Sequence, residues 1–481
     1  MISNRNNMIR GKILILLVSL FISMGLCGCN SKDSPIVLNV YIPYSDNIQD
    51  PDSNYYIEWL EEKTGYDIEI SVIRENRCEE YLKKFFSSSN YENANVDIIM
   101  FGEDFTPNRQ TILEYAKSNL IEQRRDGSYY FPNSGHSVRE GCSQVLWINS
   151  EWLSKLGLTI PQTTEELRSV LREFKNNDPN GNGFCDEIPL IGCNEEYYFN
   201  PCNFLINAFT SYDPIHCGIR EDGTNAVCED EFRDGLKYCR ELFEEGLIDN
   251  NSFSYSESEF LELINSPGDF VGAFTTDSIG DAIYLGNTEI MAHYVHVPPL
   301  TGPDGACNAI FTVRGDYVGA IIPKTAPHVK EAEILLDTML TEEASLIAGY
   351  GEEGVDWEYS DGIDVSIYGT NSTIVTKNYI WNSSQNKHLN GIGPMDIPNK
   401  YLKGVTWNGI NSDTEYIDAR AKMSYKNYLS EKISNDEISD ELYDCVYKNL
   451  ENFVSGRGDI QSDLQWNSFV AKAQNEKGRN D

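Results

Sequence analysis

The chain has 481 residues, 38 of them basic and 75 acidic, for a formal charge of −37. It is 40 % hydrophobic and 11 % aromatic, richer than a disordered chain, and at roughly 100–200 residues per domain its length allows two or three domains. The charge argues against nucleic acid, which needs a basic face to displace its counterions, and against electrostatic docking on anionic lipid.

The N-terminus divides into three parts. Arg5, Arg10 and Lys12 precede an apolar stretch of 14 residues, Ile13 to Leu26. That stretch is too short and too one-sided for a spanning helix. Leu26-Cys27-Gly28-Cys29 follows. It resembles the bacterial lipobox, which implies cleavage after Gly28, acylation (palmitate included) at Cys29 and a mature protein held outside the cell on its membrane by that lipid alone. The alternative is an ordinary cleaved signal peptide. Residues 1–28 are thus a leader and 29–35 a polar tether. The leader carries three basic residues and no acidic ones, so its loss leaves 453 residues and moves the charge from −37 to −40. No later segment is apolar enough to span a membrane. Ten cysteines remain beyond Cys27 and Cys29, with no CxxC pair and no zinc-like spacing. Scattered thiols and one or two disulfides both stay open.

Strand and helix then alternate. Ile36–Pro43, Asp67–Ile73 and Val96–Phe101 read as strands; Tyr55–Thr64, Cys78–Ser87 and Thr106–Leu120 read as helices. This βαβαβα order implies an open, mostly parallel α/β sheet with helices on both faces. Ligands bind such sheets beyond the carboxyl ends of the strands, which places Tyr44, Glu103 and Asp104 near a cleft. A second unit opens with the strand Gln144–Asn149. Thr163 and Glu166 predict a capping box before the stripe Leu167, Val170, Leu171 and Phe174. Glu229–Glu245 is a helix stopped by Gly246. Phe270–Phe274, Tyr294–Val297 and Tyr317–Ile322 are strands, Val329–Met339 and Glu342–Gly349 helices, and Ser412 to about Ala473 is nearly all helical.

The sharpest chemical motif is Asp178-Pro-Asn180-Gly-Asn182-Gly183-Phe184-Cys185-Asp186-Glu187. Oxygen side chains stand at loop positions 1, 3, 5 and 9, a glycine at 6, and Phe184 at 7 offers its carbonyl. This spacing wraps hard oxygen ligands around one calcium ion, as in an EF-hand loop. The departure is at position 12, where Pro189 stands and a bidentate Glu is usual; Glu187 at position 10 replaces it. The alternative is a turn without metal, since Asn, Gly and Asp turn unaided. The role expected of the ion is structural.

Several segments carry a family resemblance. They are Leu146–Leu153 (LWINSEWL), Leu156–Pro161 (LGLTIP), Thr163–Leu167 (TTEEL) and the DPNGNG loop, then Leu242–Asp249 (LFEEGLID), Pro298–Pro303 (PPLTGP), Ile322-Pro323-Lys324 and Tyr350–Tyr359 (YGEEGVDWEY). Together they resemble the extracellular solute-binding proteins, family 1, of carbohydrate ABC importers, in the branch that includes the alginate-oligosaccharide-binding proteins. The resemblance implies a periplasmic-binding-protein-like fold of type II, like maltose-binding protein: two α/β lobes joined by crossing hinge strands, with a helical C-terminal tail. One lobe would be 36–124 with 297–338, the other 126–295 with 340–481. It implies a monomeric, non-enzymatic receptor that captures an oligosaccharide for two permease subunits and a cytoplasmic ATPase. It also supports calcium at Asp178, Asn180, Asn182, Phe184, Asp186 and Glu187.

A sugar offers apolar CH faces for aromatic planes and hydroxyls for polar side chains. The cleft candidates are Tyr44, Glu103, Asp104, Trp147, Tyr197, Tyr198, Arg314, Tyr317, Trp357, Tyr359 and Trp381. Trp147 reads equally as core, and Arg314 equally as the partner of Asp316. A peptide or other small polar solute is the alternative ligand. An exported glycoside-active enzyme is a remote alternative, since neither GxSxG nor HExxH occurs.

Overall fold

The computed structural model describes residues 35–477 except 90, 103–104, 108, 126, 131–143, 221, 285–286, 311–318, 367–368, 379, 382–383, 411, 426–427 and 429–437. Among these residues ten strands form three sheets: β1 (Val37–Pro43), β2 (Asp67–Ile73), β3 (Ile98–Met100), β4 (Val145–Asn149), β5 (Ala273–Thr276), β6 (Tyr294–Val297), β7 (Ala320–Ile321), β8 (Trp357–Tyr359), β9 (Ile374–Asn378) and β10 (Val405–Ile410). The leader, Cys29, Glu103, Asp104, Arg314 and Tyr317 lie outside the described residues.

The first sheet has the order β2-β1-β3-β7, parallel except for β7. Its side chains alternate between two apolar layers, as the two-residue period of a strand requires. Leu38, Val40, Ile42, Ile98 and Met100 join one layer with the helices Tyr55–Thr64 and Val329–Met339. Ile99 and Phe101 join the other with the helix Cys78–Ser87. Both faces are thus covered, which explains the unbroken apolar look of β1. The helix Tyr55–Thr64 starts where the Asn54 side chain accepts from Tyr56 N–H, and it stops at Gly65, whose φ of 74° suits a residue without Cβ.

The second sheet is antiparallel, β5-β4-β6. All five residues of β4 are buried. The amphipathic helices Thr164–Asn176, Asp230–Glu244 and Asp440–Ser455 pack around it in one large core. Thr163 caps the first of these by accepting from Glu166 N–H, but Glu166 returns its bond to Gln162 N–H, one residue further back than a capping box requires. The third sheet, β10-β9-β8, lies in a region for which the sequence predicted no strand.

The lobe boundaries differ from those expected. The first lobe runs to Tyr130, whose carbonyl accepts from Gly319 and Ala320. β6 pairs with β4, and Leu300 and Ala309 sit in the second core, so the chain returns to the first lobe after residue 309, not at 297. Residues 344–405, placed by sequence in the second lobe, pack instead with β1: Leu346, Trp357, Ile374, Leu389, Ile397 and Val405 share its apolar layer. The third passage follows β10 into the helix Ser412–Tyr425. That helix is fastened to the second lobe by Asp418, which accepts from Ile279 N–H at 2.8 Å, by Lys422 paired with Asp277 at 2.5 Å, and by Tyr425 bonded to Val297 O.

Gly272 shows how tightly the second core closes. A Cβ there would meet Phe174 at 2.5 Å, Pro189 O at 2.8 Å and Trp152 at 2.9 Å. Gly272→Ala is expected to cost about 1–3 kcal/mol through overpacking, read as a lower urea midpoint; an unchanged midpoint refutes it.

Candidate ligand edges and cation loop

The loop after the helix Thr164–Asn176 is folded by its own side chains. Asp178 Oδ1 accepts from Gly181 N–H at 2.8 Å and Asn182 N–H at 3.0 Å, and its Oδ2 accepts from Gly183 N–H at 2.8 Å. Asn180 Oδ1 accepts from Asn182 N–H, and Asn182 Oδ1 from Phe184 N–H. Asn182 Nδ2 donates to Asp186 Oδ1 at 2.8 Å. Gly181 and Gly183 have φ of 78° and 90°, which lets the chain turn this sharply. The exit is extended: Ile188 pairs with Val271, so no second helix follows.

Glu187 is buried at the floor of this loop. Its Oε2 has no hydrogen-bond partner, and Oε1 has only a long contact, 3.5 Å, from Asn180 N–H. Burial pushes its carboxyl above the usual range, and the charges of Asp178 and Asp186 push the same way. An orphaned buried carboxylate oxygen facing two further carboxylates is what a cation site without its ion's charge would show, and it fits the predicted ligands. Among the described residues no group of three or more His, Cys, Asp or Glu is arranged to hold a metal, so the amide and carbonyl oxygens of Asn180, Asn182 and Phe184 would have to complete the set.

The aromatic candidates separate into three groups. Trp147 and Trp357 are core residues, which corrects their assignment to the cleft. Trp147 is fully buried because β4 is covered on both faces, and Trp357 is buried with its Nε1 donating to Gly351 O at 2.9 Å. Tyr359, one side of the Trp357 ring, is exposed on β8.

A second group stands at the carboxyl edge of the first sheet. Tyr44 follows β1, exposed, with the Arg74 guanidinium 5.4 Å from its ring centre. Trp381 is half-buried; its Nε1 donates to Gly349 O at 2.8 Å and its ring lies 4.9 Å from that of His388. The segment carrying His388 crosses the strand ends: Gln385 bridges to Ile48, Ile392 touches Gly102, and Gly393 N–H donates to Phe101 O at 2.9 Å. The third group borders β4. Tyr197 and Tyr198 are partly buried and edge-to-face at 5.1 Å, and Gln144 Nε2 donates to Tyr198 O at 2.9 Å. The sequence reading did not single out Arg74, Gln144 or His388, which border these aromatic side chains.

No family model matches the chain. Over 289 residues it is 29 % identical to the fructooligosaccharide ABC transporter substrate-binding protein FusA of Streptococcus pneumoniae, an alignment covering 53 % of this chain and 52 % of that one. Over 508 aligned residues, 97 % of this chain and 96 % of the relative, it is 21 % identical to the polygalacturonan/rhamnogalacturonan-binding protein YtcQ of Bacillus subtilis. The chain is a homologue of ABC-transporter substrate-binding proteins. It spans about half the length of FusA in that alignment and nearly all of YtcQ. The structure of a FusA EF-hand mutant with fructo-nystose superposes with a TM-score of 0.69 at 21 % identity, covering 92 % of this chain and 96 % of FusA. Alginate-binding protein AlgQ2, solved without calcium ion, gives 0.61 at 16 % identity, covering 92 % and 95 %. The two-lobed substrate-binding-protein fold expected from sequence is therefore the fold observed. These relatives are binding proteins; FusA carries an EF-hand, which was mutated in the structure compared, and AlgQ2 was solved without its calcium ion. Among the described residues no helix is long and apolar enough to cross a membrane.

Proposed function

We propose that this chain is the extracytoplasmic, lipid-anchored substrate-binding component of an ABC importer, and that it captures an oligosaccharide between its two lobes. The observation that carries this reading is the joint match over nearly the whole chain: the fold of FusA and the sequence of a polysaccharide-binding relative. Cys29 would carry the lipid. Transport would need two permease subunits and a cytoplasmic ATPase, with the chain itself a monomer that performs no catalysis.

Closing the lobes would bring the Tyr44–Trp381 edge toward the Tyr197–Tyr198 edge, with Glu103, Asp104, Arg314 and Tyr317 as polar partners. Aromatic planes on both sides suit a sugar, which exposes CH faces on both sides of its ring. Phe184 O, Asp178, Asn180, Asn182, Asp186 and Glu187 would hold one structural calcium ion, and its charge would offset the repulsion around Glu187.

A thermal-shift panel tests the ligand class with fructooligosaccharides, uronic-acid oligomers, other oligosaccharides and short peptides. A rise in midpoint with at least one oligosaccharide is expected; a rise with peptides alone overturns the sugar reading, and release of reducing sugar overturns the non-enzymatic one. Once a ligand is found, Trp381→Ala is expected to weaken it about tenfold, the worth of one stacking contact. An unchanged Kd by calorimetry would remove Trp381 from the site.

A further inference from the structure

The nine described cysteines are all thiols in this structure, and most face other groups: Cys193 Sγ lies 3.3 Å from Tyr255 O and Cys307 Sγ 3.3 Å from Pro299 O. Cys202 and Cys239 are neighbours: the Cys202 thiol acts on that of Cys239 and, with burial, holds it well above the usual thiol range. Both are completely buried in the second core. Cys202 belongs to the helix Pro201–Ile206 and Cys239 to the helix Asp230–Glu244.

The backbone shows why they meet. One turn from each cysteine, Gly235 lies against Ile206, and a Cβ at Gly235 would stand 3.3 Å from Ile206 Cα. A larger residue here would push the two helices apart by a few tenths of an ångström. Residues four apart share a helix face, so Cys202–Cys239 is the next rung after Ile206–Gly235. A disulfide requires Cα atoms roughly 4.4–6.8 Å apart, a separation that side-by-side helices reach only in such a tight crossing.

We propose that Cys202 and Cys239 form an intramolecular disulfide, a staple beneath the Tyr197–Tyr198 edge. The inference rests on the extracytoplasmic reading, because thiols stay reduced in the cytosol. One thiolate attacks a low-molecular-weight or protein disulfide to give a mixed disulfide. The second thiol displaces the donor sulfur, so two electrons and two protons pass to the donor, which leaves as two thiols. Burial in the folded lobe disfavours the Cys239 thiolate, so the exchange belongs to folding, before the helices close.

The test takes the full chain, denatured and reduced, and refolds it in a glutathione redox buffer or in excess reductant. Each product is denatured, alkylated without reduction, cut by trypsin and mapped. The expected product in redox buffer is a cross-linked pair of peptides holding Cys202 and Cys239, with a melting midpoint above that of the reduced protein. In Cys202→Ser the cross-link disappears and Cys239 is alkylated. Both cysteines alkylated in a natively folded, redox-buffer product, or either one joined to a different cysteine, overturns the pairing. Acid-trapped protein from cells separates the two readings: a dithiol there, with the disulfide formed in the refolding arm, upholds the pairing and counts against export.

Discussion

Saturating calcium is expected to raise the unfolding midpoint of the chain by about 5–10 °C over that in chelator, and Glu187→Gln to remove most of the rise. A ligand at a hundred times its Kd stabilises the native state by about 2.7 kcal/mol, and each kcal/mol is worth roughly 2–4 °C in a domain of this size. The effect should be large because the loop is already wound around its own acceptors, with Asp178 taking three backbone N–H groups, while Glu187 Oε2 has no hydrogen-bond partner. The gain has a pH signature. Without the ion the Glu187 carboxyl is raised, so its protonated form is favoured in the fold and stability is lost as pH climbs through that raised value. Calcium would bind the ionised form, so its stabilisation is expected to be fullest at neutral pH and to shrink on acidification. Scanning calorimetry with calcium, magnesium and chelator decides this. Equal midpoints, together with no calcium in elemental analysis of the native protein, refute the site.

How much of this was legible in the sequence depends on the range of the forces concerned. The helix Tyr55–Thr64 and the strand Asp67–Ile73 were predicted to the residue, because a cap, a glycine stop and a period are local signals. The turn at Asp178–Glu187 was legible for the same reason: the side chains and glycines that fold it lie within ten consecutive residues. β8, β9 and β10 were missed because each is short and is held by its neighbours, not by an alternating pattern of its own. The lobe boundaries failed for a related reason. Nothing in Tyr294–Val297 announces that it pairs with β4, and that pairing keeps the chain in the second lobe for a further dozen residues. Trp147 and Trp357 were placed at the cleft for their aromatic faces, but Trp147 lies on a strand covered from both sides and Trp357 is the buried first residue of an otherwise exposed strand, held by its bond to Gly351 O.

His388 gives the other large effect: acid should unfold this protein through a neutral buried imidazole. Its Nδ1 accepts from Asn390 N–H at 2.8 Å, a bond made possible by the left-handed Asn390 with φ of 49°. Its backbone is tied to Gln385 Oε1 and Asn54 Nδ2 at 3.1 and 3.0 Å, and Trp381 covers its ring. Burial alone lowers its pKa from 6.5 to about 3, with no charged partner contributing. In the unfolded chain the same group titrates near 6.5. The stability that depends on neutral His388 is therefore complete above pH 6.5 and is lost as pH falls from 6.5 to 3. At 1.36 kcal/mol per unit, the loss approaches about 4–5 kcal/mol at the acid end. Carboxylates titrate in the same window, so the informative quantity is a difference. His388→Asn keeps an acceptor for Asn390 N–H and cannot take up the proton. Its urea midpoint should lie below that of the parent at pH 7, because a smaller side chain leaves a void beneath Trp381, and the gap should close or reverse near pH 4. Parallel profiles for parent and variant between pH 7 and 4 would show that His388 is protonated without cost.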